Sequence, residues 1–302
     1  MNPLGANTWI WVSPLTDERL ATLAPRIASW GFDVIELPIE QLGDWDPDRA
    51  RRLLDDLGLG ATTCAVMPPT RDLVVADPAV VAATSDYLRG CIDVAARVGA
   101  GSIGGPIYSS VGRTWLMDAD ERLATIARLV SNLGPLAEAA AAHGVVLALE
   151  PLNRFETSLI NTVDQALEVV DAIDSPGLGI TLDTFHMSIE EKDPAAAIRR
   201  AGGRLAHFQA SGSDRGAPGN DHLNWPAIAG ALVDVGYDGP ICIESFTSEN
   251  QTIARAAAIW RPLERSQDAI ATDGIAFLRR LLGSVSGGAN TTADVLAGGG
   301  AG

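Results

Sequence analysis

Cysteine is scarce in this sequence, which has Cys64, Cys91 and Cys242 as its three cysteines among 302 residues. The number is odd, and no two of them stand at the C-x-x-C spacing typical of metal-binding thiolates. This argues against a disulfide framework and against a thiolate zinc cluster. We expect three reduced thiols.

Basic residues are also few. Lys and Arg total 22 against 38 Asp and Glu, which gives a formal net charge of −16 at pH 7. A surface with this excess of negative charge repels nucleic acids and anionic membranes on average. We therefore expect no nucleic-acid partner and no membrane partner.

Long hydrophobic runs are missing. No charge-free apolar run approaches the roughly 18 residues that a membrane span requires, and no basic segment precedes an apolar one near the N-terminus. On this pattern we expect a cytoplasmic protein. Nucleotide-binding motifs are missing as well, because neither G-x-G-x-x-G after the first predicted strand nor G-x-x-x-x-G-K-[ST] occurs.

A repeated unit is present along most of the chain: a short apolar or β-branched run, a polar loop, a helix-start signal and an amphipathic stretch. The apolar runs are residues 5–11, 32–38, 60–67, 102–107, 145–152, 178–185, 205–211 and 241–246. Near-continuous apolar strands that alternate with helices are typical of parallel sheets covered by helices. The pattern predicts a single-domain α/β protein, a (β/α)8 TIM barrel over residues 1–283. An open doubly wound sheet is the alternative.

Local signals agree with this division. Asp46-Pro47, Asp77-Pro78 and Asp193-Pro194 each combine an N-cap carboxylate with proline at the first helical position. Residues 284–302 contain six glycines and four alanines but one charged residue. Such a segment buries too little apolar surface to offset its ordering, so we predict a flexible C-terminal tail.

Polar residues follow or end four consecutive predicted strands: Glu150, Asp183, His207 and Glu244. In a barrel, the C-terminal ends of the strands form the face that carries chemistry. Charges placed after aliphatic strands must be paired or coordinated. Carboxylates and imidazole without thiolate suit Mn²⁺, or alternatively Mg²⁺ or Co²⁺, so we predict a metal site. The alternative for each residue is a structural role.

Three residues beyond the strand ends are candidates to contact a substrate above such a metal. His186 follows Asp183 by three residues, and Arg215 lies in the glycine-punctuated loop after His207. His186 could instead orient Asp183, and Arg215 could order its own loop. Glu156 is a third candidate contact, with an exposed loop carboxylate as the alternative.

Three less polar residues are candidates for the wall of a substrate pocket. Trp115 and Phe246 fall near strand ends or in loops, where aromatic rings could pack on the C–H face of a sugar. Core packing is the alternative for both. Cys64, near the end of the third strand, could line the site, or could be a buried small hydrophobe.

The segments GFDVIELP, LALEPLNRFET, LDTFHMSIEE, HFQASGSDRGAPG and CIESF together resemble the xylose-isomerase-like TIM barrels, the sugar phosphate isomerase/epimerase superfamily. Within them, the sequence resembles the D-tagatose/D-psicose 3-epimerases up to about residue 283. The resemblance implies metal ligation by Glu150, Asp183, His207 and Glu244, with the two glutamates as the acid–base pair. It also implies a homo-oligomer, a dimer or tetramer, and substrate contacts by the following residues: Glu156, His186 and Arg215.

The resulting hypothesis is a divalent-metal-dependent ketose 3-epimerase of the D-psicose, D-tagatose and D-fructose class. Glu150 and Glu244 would lie on opposite faces of C3, and deprotonation and reprotonation would pass through an enediolate. A metal-dependent lyase or isomerase is the alternative, for example a 3-keto C-glycoside lyase with a small partner subunit, an inosose dehydratase or a hydroxypyruvate isomerase. A noncatalytic sugar-binding protein is a further alternative. Metal-dependent DNA repair fits poorly, because the chain has four histidines and a large negative charge.

Overall fold

The computed structural model describes residues 1–297, with side chains described through residue 285. Eight parallel strands pair in chain order, and the last pairs with the first, so the sheet closes. The strands are β1 (Leu4–Asn7), β2 (Val34–Ile39), β3 (Gly60–Ala65), β4 (Ser102–Gly104), β5 (Val146–Leu149), β6 (Leu178–Asp183), β7 (Leu205–Ala210) and β8 (Ile241–Ile243). Each strand overlaps one predicted apolar run, and the predicted (β/α)8 barrel is confirmed.

Helices surround the barrel and connect successive strands. They are α1 (Asp17–Ser29), α2 (Pro47–Leu57), α3 (Pro78–Val98), α4 (Ala119–Ala142), α5 (Val163–Ile173), α6 (Thr184–Glu190), α7 (Pro194–Ala201), α8 (Trp225–Asp234), α9 (Gln251–Ala256) and α10 (Gln267–Ala297). The carboxylates of Asp46, Asp77 and Asp193 accept hydrogen bonds from main-chain N–H groups in the first turn of their helices. The N-caps read from the sequence are therefore formed.

Helix α10 continues beyond the predicted barrel boundary at residue 283. Its backbone is helical through Ala297, which includes the first part of the predicted tail. Residues 298–302 of that tail lie outside the described residues, and the flexibility of 284–302 stays a prediction. Within residues 1–297, no helix is both long and apolar enough to cross a membrane.

The pairing of β6 with β7 fixes the depth of the side chains inside the barrel. Thr181 is the register partner of His207, and Asp183 is the register partner of Gln209. Side chains two residues apart on a strand share a face and are separated by about 6.6 Å along it. Asp183 and Gln209 therefore form a layer at the C-terminal mouth of the barrel, and Thr181 and His207 lie in the layer beneath.

Helix α4 packs directly against the start of β6, where Gly177 is buried. A Cβ added at Gly177 would lie 2.0 Å from the carbonyl oxygen of Ala137 and 2.6 Å from the main-chain nitrogen of Ala141. Both atoms belong to the backbone of α4, and moving that helix in a close-packed interior costs free energy of packing.

We expect Gly177→Ala to lower the free energy of unfolding by about 3 kcal/mol, because α4 must move off β6. Gly230→Ala is the matched control, since Gly230 lies inside α8 and an added Cβ meets nothing within 4 Å. That control should raise the free energy of unfolding by up to about 1 kcal/mol. Urea denaturation of both variants measures the effect, and equal stabilities would contradict the close contact.

Candidate active site

A cavity of about 410 Å³ opens at the C-terminal ends of the strands. This volume lies within the range of roughly 300–1,000 Å³ typical of small-molecule sites. Its wall is largely apolar and includes Trp9, Met67, Leu152 and Phe246. The charged or titratable polar groups in that wall are Glu150, Glu156, His186, Arg215 and Glu244. An apolar pocket with a few convergent polar groups is the usual form of an active site.

Strand ends position three buried carboxylates. Glu150 directly follows β5, and its main-chain N–H donates to the carbonyl oxygen of Gly105 at 3.1 Å. Asp183 is the last residue of β6 and caps α6, with one carboxylate oxygen accepting from the N–H of Phe185 at 2.8 Å. Glu244 directly follows β8. The sequence predicted these three positions at the mouth of the barrel, and the structure brings them to one end.

Arg215 bridges two of these carboxylates. Its Nη1 donates to Asp183 Oδ2 and to Glu244 Oε2, the latter at 3.0 Å. The guanidinium carbon lies 4.2 Å from the ring centroid of Phe185 and 4.8 Å from that of Phe246. Because this cation is 4% exposed and held between two rings, its attraction to the carboxylates is weakly screened.

His186 lies beside Arg215 on α6. Its Nδ1 accepts the main-chain N–H of Asn153 at 2.9 Å, and its Nε2 lies 2.8 Å from Arg215 Nη2 and 3.6 Å from Glu150 Oε1. Burial, followed by the charge of Arg215, lowers the pKa of His186 well below its ordinary value. The imidazole is therefore neutral at physiological pH, and because its Nδ1 accepts from Asn153, its proton lies on Nε2, at the cavity.

The site contains more negative charge than its own cation balances. Burial raises the pKa of Glu150, Asp183 and Glu244 above their ordinary values. Repulsion by Glu244 and Asp183 raises the pKa of Glu150 further, repulsion by Asp183 and Glu36 raises that of Glu244, and Arg215 opposes the rise in all three carboxylates. Uncompensated buried carboxylates are costly, so this arrangement favours an additional positive charge.

The donor atoms fit a divalent cation. One ligand atom from each of Glu150, Asp183 and His186 lies within 4.8 Å of the other two. Glu150 Oε1 is buried and has no hydrogen-bond partner among the described residues. Oxygen-rich donor sets of this kind suit Mg²⁺ or Mn²⁺. Two of the four predicted ligands, Glu150 and Asp183, belong to this group, whereas His207 belongs to a second candidate group with Glu36 and Cys242.

His207 occupies the layer beneath. Its Nε2 lies 2.6 Å from Glu36 Oε1, and both side chains are fully buried. Burial raises the pKa of Glu36, but the facing His207 and hydrogen bonds from His207, Gln209 and Asn7 outweigh it, so the pKa lies below its ordinary value. The carboxylate that His207 contacts within 4 Å is Glu36, rather than Glu150, Asp183 or Glu244.

Two polar residues of this region were not assigned a role from the sequence. Gln209 Nε2 donates to Glu244 Oε1 at 2.9 Å and to Glu36 Oε2 at 3.2 Å. Glu36 is a single charge within the otherwise apolar strand β2. The sequence contains a signal for each residue. Glu36 is the charge that interrupts the apolar segment VIELPI. The period-two alternation in LAHFQA places Gln209 on the same face as His207 and nearer the mouth of the barrel.

The remaining predicted contacts divide between the cavity and other surroundings. Glu156, Phe246 and Cys64 all line the cavity. Burial raises the pKa of Glu156, and burial raises that of the Cys64 thiol strongly, so the thiol stays protonated. Trp115 instead stacks under the guanidinium of Arg113, at 4.0 Å from ring centroid to Cζ, and is not one of the described residues in the cavity wall.

A family model described as "Xylose isomerase-like TIM barrel" matches residues 25–281. The chain belongs to this family. This membership agrees with the closed eight-stranded barrel and with the resemblance read from the sequence motifs.

Relatives of this xylose isomerase-like barrel include several ketose 3-epimerases. A probable ketose 3-epimerase from Synechocystis is 34% identical over 278 residues, which cover 91% of this chain and 95% of that protein. A ketose 3-epimerase from Arthrobacter globiformis is 31% identical and covers 93% of this chain and 97% of its own length. A solved L-ribulose 3-epimerase superposes with a TM-score of 0.89 at 31% identity, covering 100% of both chains. These similarities place the chain among the sugar epimerases, which are isomerases.

Proposed function

We propose that this xylose isomerase-like barrel is a divalent-metal-dependent ketose 3-epimerase that acts on ketoses of the D-psicose, D-tagatose and D-fructose class. The observation that carries the proposal is the pair Glu150 and Glu244, two buried carboxylates in the wall of one cavity. They follow β5 and β8, three strands apart around the barrel, and so approach the cavity from different sides.

Each glutamate has the character that a general base requires. Burial raises the pKa of both carboxyl groups, which moves their basicity toward that needed to remove a proton beside a carbonyl. In the proposed reaction, one glutamate removes the proton from C3 and the other returns a proton to C3 from the opposite face. The configuration at C3 is thereby inverted.

Arg215 and His186 are the proposed hydrogen-bond partners of the substrate oxygen next to the reacting carbon, and Glu156 is a proposed contact at the cavity wall. Glu150, Asp183 and Glu244 would hold the cation, which we propose to be Mn²⁺, with Mg²⁺ or Co²⁺ as alternatives. When bound, such an ion stabilises the negative charge that develops on the substrate oxygen. We also propose a cytoplasmic homo-oligomer, on the resemblance to the epimerases.

The test is exchange with solvent. We expect the Mn²⁺-loaded protein, incubated with D-fructose, D-tagatose or L-ribulose in D₂O, to produce the C3 epimer with deuterium at C3, as followed by ¹H and ¹³C NMR. Deuterium at C1 with formation of an aldose would instead indicate an aldose–ketose isomerase. Release of an aglycone from a 3-keto glycoside would indicate a lyase. Sugar binding without any exchange of deuterium would indicate a noncatalytic sugar-binding protein.

A further inference from the structure

We propose that Gln209, through its side-chain oxygen, is the fourth protein ligand of the cation, and that His207 is not a ligand. The inference rests on the proposed metal dependence and changes the composition of the site, since the ligands become Glu150, Asp183, Gln209 and Glu244. The protein would then bind its cation through oxygen atoms alone.

The first support is the strand register. Gln209 is the register partner of Asp183, so the two side chains share one layer of the barrel. His207 is the partner of Thr181 in the layer beneath, about 6.6 Å deeper along the strand. If Asp183 is a ligand, the residue of β7 that lies at the same depth in the barrel is therefore Gln209 and not His207.

The second support is the orientation of the Gln209 amide. Its nitrogen donates to carboxylate oxygens of both Glu244 and Glu36, and only an NH₂ group can make these two bonds. With both carboxylates ionised, as in a metal-bound site, these two bonds orient the amide nitrogen toward Glu36 and Glu244. Gln209 Oε1 is buried, and it has no hydrogen-bond partner among the described residues.

The third support is distance. The oxygen and nitrogen of a carboxamide are about 2.3 Å apart. Because Gln209 Nε2 lies 2.9 Å from Glu244 Oε1, its Oε1 lies within roughly 5 Å of that carboxylate oxygen. Two oxygens that each bind one divalent ion at about 2.1 Å lie at most about 4.2 Å apart, so this upper limit is compatible with a shared ion. A buried acceptor without a donor beside a carboxylate is an expected cation ligand.

The pair His207 and Glu36 then acts as a positioning pair. His207 Nε2 is engaged by Glu36 Oε1, and the second oxygen of Glu36 accepts hydrogen bonds from Gln209 and Asn7. His207 Nδ1 is also buried and without a hydrogen-bond partner among the described residues, and His207 groups with Glu36 and Cys242 rather than with Asp183. This network anchors the side-chain nitrogen of Gln209 and leaves its side-chain oxygen without a hydrogen bond. The arrangement is a polar support beneath the layer of ligands.

Asn7 provides a matched control. Like Gln209, its side-chain nitrogen donates to Glu36 and to Glu244, at 2.8 Å and 3.4 Å. Unlike Gln209, its side-chain oxygen has a partner, the main-chain N–H of Trp9 at 2.9 Å. Asn7→Ala therefore removes comparable hydrogen bonds to the same two carboxylates without removing a free buried oxygen.

The experiment measures the metal rather than turnover. Isothermal titration of the full-length protein with Mn²⁺ should show a dissociation constant at least about tenfold higher for Gln209→Ala than for Asn7→Ala. Asn7→Ala removes hydrogen bonds to Glu36 and Glu244 without removing a ligand, so its own loss measures the contribution of the hydrogen-bond network. An equal loss in the two variants would overturn the assignment, because the hydrogen-bond network would then explain it.

Electron spin-echo spectroscopy of bound Mn²⁺ gives a second readout that needs no variant. We expect the wild-type spectrum to lack the modulation of a directly coordinated histidine nitrogen, and Gln209→His to acquire it. Coordinated nitrogen in the wild type would overturn the inference while leaving the proposed epimerase intact. Failure of the wild type to bind Mn²⁺, Mg²⁺ or Co²⁺ would overturn the inference and the proposed metal dependence together.

Discussion

Glu150→Gln and Glu244→Gln are each expected to abolish C3 epimerisation, with kcat lowered by about a thousandfold or more. A positioned general acid or base contributes roughly 10²–10⁴-fold to a rate, and an inversion needs both partners. Steady-state kinetics with the best ketose found in the exchange assay measure the effect. Glu168→Gln, an isosteric change at the surface partner of Arg122, should leave kcat within about twofold.

Solvent exchange separates the roles of the two glutamates. With one glutamate replaced, the remaining one can still remove and return a proton on its own face of C3. We therefore expect Glu150→Gln to introduce deuterium slowly into one of the two C3 epimers without interconverting them, and Glu244→Gln to label the other epimer. Near-normal kcat in either variant would defeat the assignment of an acid–base pair.

Loss of turnover in these variants should not reflect unfolding. Burial and like-charge repulsion raise the pKa of Glu150 and Glu244, so the ionised forms are unfavourable in the metal-free protein. Glutamine has nearly the same shape and no charge. We accordingly expect the metal-free variants to melt at temperatures no lower than that of the metal-free wild type.

Removal of divalent cations with a chelator is expected to eliminate epimerisation, and added Mn²⁺ to restore it. The carboxylates of Glu150, Asp183 and Glu244 have Arg215 as their compensating cation, which leaves excess negative charge in the site. Binding only to the folded state should also stabilise the protein, by about 2.7 kcal/mol at a Mn²⁺ concentration of 100 times the dissociation constant. Calorimetric melting with and without Mn²⁺ measures this.

The double variant Glu150→Gln/Glu244→Gln is the control for the metal effect. It replaces two proposed carboxylate ligands with neutral amides and so removes two negative charges from the site, and its melting temperature should rise less with Mn²⁺ than that of the wild type. Full activity in chelator-treated protein, with metal analysis showing far less than one ion per chain, would contradict the proposed metal dependence.

The barrel could be predicted because its signals are local. Asp–Pro caps and short apolar strands recur along the chain, and each depends on residues close in sequence. The carboxylates after β5, β6 and β8 could be predicted for the same reason, since a charge directly after an aliphatic strand marks its end. Glu150 and Asp183 illustrate this, each following three or more largely aliphatic strand residues.

The depth of a side chain relative to those of the neighbouring strand could not be predicted in the same way. Choosing between His207 and Gln209 requires the register of β7 against β6, which includes a shift between Ile180 and Thr181 that no local pattern shows. Ligand chemistry alone favours the imidazole, because histidine is the commoner ligand. The position of Trp115 beside Arg113 likewise depends on the path of a long loop after β4.

Glu150 and Glu244 are both buried carboxyl groups with a raised pKa, and this likeness has a consequence for how the proposed enzyme would operate. Either glutamate can then act as the base while the other acts as the acid, so both C3 epimers would be substrates. The enzyme, like any catalyst, would not alter the equilibrium between them. The relative amounts of the two epimeric sugars supplied by neighbouring reactions would decide which one is consumed.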